Sequence, residues 1–162
     1  MKQHFTPLVV LAMAIAPRAA PGDCSVTLPA SSPVEVPGSS SNDRYAWYGS
    51  DALAVRLPAD GRWRGMGPSH NFRDKFWIWR RGYEATSEPR PALTFAGMKP
   101  GNHDKPRRLN VDRATNAAFG PGKDQMLIGM EFPSAGCWRV TVQYMYAGIT
   151  QELTFIVDVI DE

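Results

Sequence analysis

The chain has 162 residues, 43% of them hydrophobic and 21% charged, which fits one globular domain plus a short leader and excludes a disordered chain. Its 14 Gly and 14 Pro interrupt the sequence too often for long helices. The formal charge of +2 gives no global support for binding nucleic acid or an anionic membrane.

Residues 1–20 follow the export pattern. Lys2 and His4 form a polar start, and an apolar run from Phe5 to Ala16 follows, broken by Thr6 and Pro7. Small residues then appear at Ala14, Ala16, Ala19 and Ala20. The run is long enough for a signal-peptide core and too short for a comfortable transmembrane helix. The expected location is therefore periplasmic or secreted. Of the 18 Lys and Arg, Lys2 and Arg18 lie in this leader, so the remaining 16 balance the 16 Asp and Glu. A lipid anchor on Cys24 is the alternative, although Asp23 stands where a small residue is expected. Membrane attachment is expected only in that case. In an exported chain two cysteines most often pair, which predicts a Cys24–Cys137 disulfide.

Residues 21–44 read as an N-terminal strand starting at Cys24, followed by a flexible loop rich in Ser and Pro. The sandwich domain is placed at 45–162. Residues 51–57 alternate, with Leu53, Val55 and Leu57 on one face, and predict a strand. Pro58–Gly61 is a turn signal typical of a tight hairpin, after which Trp63 opens a second strand. Residues 75–81 are apolar on both faces, Phe76 and Ile78 against Trp77 and Trp79, as in a central strand. Residues 92–98 predict another strand, with Leu93 and Phe95 inward.

Residues 99–125 are the least regular, with room for one short strand at Leu109 and Val111. Residues 126–132 predict a strand, and Pro133–Gly136 a turn. Residues 137–146 alternate strictly, with Trp138, Val140, Val142, Tyr144 and Tyr146 on one face. Residues 151–160 point Leu153, Phe155, Val157 and Val159 inward and complete an antiparallel hairpin. The expectation is an all-β, two-sheet antiparallel sandwich of about seven or eight strands.

Two resemblances refine this. Phe132-Pro-Ser-Ala-Gly-Cys-Trp-Arg-Val-Thr-Val resembles the start of the penultimate strand of immunoglobulin-like domains, where a Gly is followed two residues later by an aromatic; Gly136 and Trp138 fill those places. Residues 47–160 are similar to an uncharacterised family of small exported bacterial proteins. The matching pieces are Tyr48-Gly-Ser-Asp-Ala-Leu-Ala-Val, Phe76-Trp-Ile-Trp-Arg with Gly82-Tyr83, Glu88-Pro-Arg-Pro-Ala-Leu-Thr, Pro133-Ser-Ala-Gly-Cys-Trp and Leu153-Thr-Phe-Ile-Val. The resemblance implies export and an immunoglobulin-like sandwich. It implies no activity and no functional residues.

Residues 62–83 interleave arginines with aromatics, as a face that stacks on rings and clamps carboxylates or phosphates would. Trp63, Arg64, Phe72, Arg80 and Arg81 are its candidate ligand-binding residues. The plainer account puts the aromatics in the core and the arginines in ion pairs with Asp74, Glu84 and Glu88. A metal site would draw on His70, His103 and Asp104 with Met66 or Met98, but no ligand spacing supports it. No nucleophile elbow, phosphate-binding loop or cofactor motif is present in the sequence. The expectation is thus a binding module, not an enzyme, with no cofactor, acting on a protein or cell-envelope component. The alternatives are a periplasmic metal-handling protein and an enzyme of unfamiliar type.

Overall fold

The structure is a computed structural model that describes residues 24–31, 33–39, 42–65, 72–100, 105–112, 114–118 and 124–161. Eleven strands account for nearly all of its regular structure: β1 (Tyr45–Gly49), β2 (Leu53–Pro58), β3 (Arg62–Arg64), β4 (Phe72–Arg80), β5 (Ala92–Met98), β6 (Arg107–Arg108), β7 (Asn110–Val111), β8 (Thr115–Ala118), β9 (Asp124–Phe132), β10 (Gly136–Tyr146) and β11 (Ile149–Ile160). The helical content among the described residues is one 3₁₀ turn, Pro29–Ser31. One sheet runs β1-β2-β4-β9-β7, with β8 also on β9. The other runs β3-β11-β10-β5-β6. The two sheets share one apolar core, as the layers of a β-sandwich do.

Alternation sets which side chains enter that core. Val55 and Leu57 of β2, Phe76 and Ile78 of β4, and Met126, Ile128 and Met130 of β9 meet Phe95, Val140, Val142, Phe155 and Val157 from the facing sheet. Phe76 stacks on Phe155 at 5.6 Å and meets Phe95 edge-on at 5.8 Å.

The two long strands pair as the expected antiparallel hairpin, but β11 begins at Ile149, so the connection is two residues rather than the four that separate the alternating runs 137–146 and 151–160. Tyr146 pairs with Ile149, which leaves a two-residue turn of Ala147 (φ 49°) and Gly148 (φ 78°). Positive φ at both positions is the turn that matches the right-handed twist of paired strands. The disulfide is present, with Cys24 and Cys137 Cα atoms 5.4 Å apart. Its sulfur is the atom a lipid would need, so the bridge is incompatible with an anchor on Cys24.

Several expectations are corrected. Pro58–Gly61 does not close a hairpin: β2 and β3 lie in opposite sheets, and β3 runs parallel to β11, with Trp63 opposite Val159. The turn carries the chain across the sandwich because Leu57 and Trp63 both bury in the same core from different layers. Residues 24–28 form no strand, although Thr27 bonds the Ile156 carbonyl through its N–H at 2.8 Å. Leu109 and Val111 do not share a strand. β6 belongs to one sheet and β7 to the other, and Leu109 between them is the buried crossing point. It fits against Gly97, where an added Cβ would stand 2.8 Å from Leu109 Cδ2.

The strand β1 was not foreseen. It forms the edge beside β2, with Trp47 opposite Arg56. Central β4 is apolar on both faces, as expected, because its outer face is covered too. Trp77 and Trp79 pack there against Val36, Trp47 and Ala54, beneath the segment that follows the 3₁₀ turn. Pro33 bridges to Tyr48, and the Trp47 indole N–H donates to Ser39 Oγ at 2.9 Å.

Candidate functional site

The five residues proposed from sequence fall at two opposite ends of β4. Phe72 and Arg80 are its terminal residues, and eight strand steps place them about 26 Å apart. They therefore do not form one face.

At the Phe72 end, Trp63 is buried in the core, with its ring 5.7 Å from Phe76 and 5.3 Å from Phe132. Phe72 is half-buried against the same cluster. Alternation along β3 then turns Arg62 and Arg64 outward. Arg64 Nη2 meets Asp60 Oδ2 at 2.8 Å in an open cleft of about 450 Å³ that Arg44 and Tyr45 also line. That hydrogen bond from Arg64 holds the Asp60 carboxyl below its ordinary pKa.

The Arg80 end is more tightly built. Arg80 is 7% exposed. It reaches Glu88 Oε2 at 2.9 Å and donates to the Arg81 and Gly82 carbonyls at 3.1 and 3.3 Å. The other carboxylate oxygen of Glu88 accepts from the Tyr144 hydroxyl. Burial, then that bond to Glu88, pushes the Tyr144 phenol well above its ordinary pKa. Arg80 Cζ also lies 5.0 Å from the Tyr144 ring centroid and 4.2 Å from that of Tyr146. The guanidinium thus joins the 82–91 loop to the β10–β11 hairpin. Arg81, next in sequence, is exposed and pairs with Asp51.

Beside that exposed ion pair, the tip of the hairpin presents apolar side chains to solvent. Met145, Tyr146 and Ile149 are 52%, 44% and 65% exposed, three of the four large hydrophobic side chains most exposed among the described residues. The alternation places Tyr146 on the same face as Trp138, Val140, Val142 and Tyr144, which are buried. The two-residue turn begins directly after Tyr146, however, and its ring rests on Arg80 instead of the core. Beside the hairpin end, a cleft of about 490 Å³ is lined by Glu35, Asp51, Trp79, Arg81 and Tyr83, among others.

Of the carboxylates named from sequence as arginine partners, Glu88 is the one that meets Arg80; the residues of this site that sequence reasoning missed are Tyr144 and the exposed trio. Alternation marks Tyr144 and Tyr146 as strand residues. It carries no sign that a loop carboxylate fifty-six positions away will reach Tyr144.

His70, His103, Asp104 and Met66 lie outside the described residues. Among the described residues no group of three or more His, Cys, Asp or Glu could hold a metal ion. Met98 lines a small basic cleft with Lys99. Comparison with known protein families, with curated proteins and with solved structures returns no match.

Proposed function

We propose that this protein is an exported binding module with an immunoglobulin-like sandwich, and that it engages a protein partner through the β10–β11 hairpin end. The carrying observation is the exposed Tyr146 ring, 4.2 Å from the buried Arg80 guanidinium and flanked by the exposed Met145 and Ile149. Tyrosine, methionine and arginine are the residues enriched at the centres of protein interfaces, and side chains held in place before binding lose less entropy on contact.

Strand pairing supports the immunoglobulin-like reading. Taking β2, β4, β5, β7, β9, β10 and β11 as strands A to G, A-B-E-D form one sheet and G-F-C the other. β3 extends the second sheet as a parallel neighbour of G. At the start of β10, the Trp138 indole N–H donates to the Ser134 carbonyl four residues upstream at 2.9 Å, much as a tyrosine corner does in such domains. The disulfide is compatible with an oxidising compartment, and with the leader supports export. A binding role is favoured over catalysis at this end because Arg80 and Tyr144 each engage one oxygen of Glu88, and burial keeps Tyr144 neutral.

The test is site-specific photocrosslinking in the producing cell. A photoreactive phenylalanine at Ile149 or Tyr146 is expected to capture one protein, and the same probe at Thr154 on the outer sheet face is expected not to. Equal capture from all three positions, or adducts to lipid or glycan alone, would overturn the proposal.

A further inference from the structure

We infer that the end opposite the hairpin tip carries a second site, for a small oxyanion of the phosphate or sulfate type. A cleft of about 150 Å³ opens between the end of β5, the start of β6 and the β9–β10 turn. Lys99, Lys105 and Arg107 line it together with Ser134 and Trp138, and no described carboxylate does. Beyond the leader the chain balances its charges, so three cations gathered on one small cleft are a local excess.

Lys99 is the fixed cation. Its ammonium donates to the Ala135 carbonyl at 2.9 Å and lies 5.6 Å from the Trp138 ring centroid. The Trp138 ring is itself anchored by its bond to Ser134. Gly136 (φ 111°) supplies the backbone conformation of this turn, and a Cβ there would make only an ordinary 3.4 Å contact with Lys99 Nζ. One of the three donors of the ammonium is used, which leaves two.

Lys105 and Arg107 are exposed, and neither side chain has a hydrogen bond or ion pair among the described residues. Like charges held near one another repel, and an anion between them turns that repulsion into attraction. The guanidinium fork of Arg107 matches two oxygens of a tetrahedral anion, and lysines add point charges. The cleft suits one such group on a small molecule or at the end of a larger one. This site shares no residue with the hairpin end, and neither proposal depends on the other.

The whole disulfide-bonded chain, labelled with ¹⁵N, can be titrated with inorganic phosphate against chloride at matched ionic strength. The Trp138 indole N–H and the Gly97, Ser134 and Gly136 amides are expected to shift saturably. Sulfate should compete. Arg107→Ala and Lys105→Ala, both at exposed positions, should each weaken binding by about tenfold or more, the loss expected for one charge-assisted hydrogen bond. Shifts that stay linear, spread evenly over the basic surface, or persist unchanged in both variants overturn the site. Sedimentation with vesicles locates the source of the anion. Binding to phosphatidylglycerol vesicles but not to phosphatidylcholine, abolished by Arg107→Ala, assigns a lipid head group. Phosphate binding without vesicle binding assigns a soluble anion.

Discussion

The guanidinium of Arg80 lies 4.2 Å from the ring centroid of Tyr146 while its Nη2 contacts Glu88 at 2.9 Å. One buried cation thereby sets both the loop and the exposed ring. Arg80→Met is expected to cost about 3–5 kcal/mol, because it leaves the Glu88 carboxylate buried without its partner. Tyr146→Ala should cost only about 0.5–1 kcal/mol, the scale of an exposed cation–π contact. Urea unfolding of the two variants measures the contrast; equal losses would mean that Arg80 does not hold this end together.

The disulfide spans 113 positions. In the chain-entropy model, closing a loop of that length stabilises by roughly 4–5 kcal/mol. The Cys24→Ser/Cys137→Ser double variant should therefore unfold at much lower denaturant. A thiol assay on unreduced, unfolded wild-type protein should find no free thiol, and two thiols would contradict the bridge.

Alkaline stability should depend on Tyr144. An unfolded phenol ionises near its ordinary value of 10.0, whereas burial and Glu88 keep Tyr144 protonated well above that. The unfolded state then binds fewer protons, so stability falls as pH rises above about 10. Tyr45, raised chiefly by burial, adds to the same slope. Tyr144→Phe should flatten the decline in guanidinium melts taken across this range, and an unchanged slope would count against the assignment.

Asp74 offers the opposite test at low pH. Its carboxyl is raised above 3.8, mainly by burial, with one hydrogen bond from the Lys75 N–H. A raised carboxyl favours the folded state while protonated, and that advantage is lost as pH rises through the folded pKa. Asp74→Asn keeps the acceptor and removes the charge. It should be more stable than wild type at neutral pH, with the gain shrinking below about pH 4; thermal melts at the two pH values decide it.

Gly97 makes a steric prediction. A Cβ there meets Leu109 Cδ2 at 2.8 Å, where the chain passes from one sheet to the other. Gly97→Ala should cost about 1–3 kcal/mol through overpacking. Gly97→Ala combined with Leu109→Val should recover part of it, and strictly additive losses would show that the contact is not the cause.

The sequence by itself determined the strands that bury one full face. The runs 137–146 and 151–160 alternate, so the two strands, their antiparallel pairing and most of their inward residues could be read directly, whereas the two-residue turn and the register could not, and a chain with two cysteines offers only one pairing. These signals are local, or limited to a single choice. Only the tertiary structure decided that β2 and β3 part into different sheets, that Trp77 and Trp79 lie under the N-terminal segment, and that Trp63 and Arg80 stand at opposite ends. It also decided that Glu88 closes over Arg80 and Tyr144. The reason is physical. Alternation records which side of a strand is buried and not what buries it, and a polar residue in a loop has the same composition whether it meets water or a guanidinium. Partner choice between distant segments depends on how two sheets stack, and no window of sequence contains both.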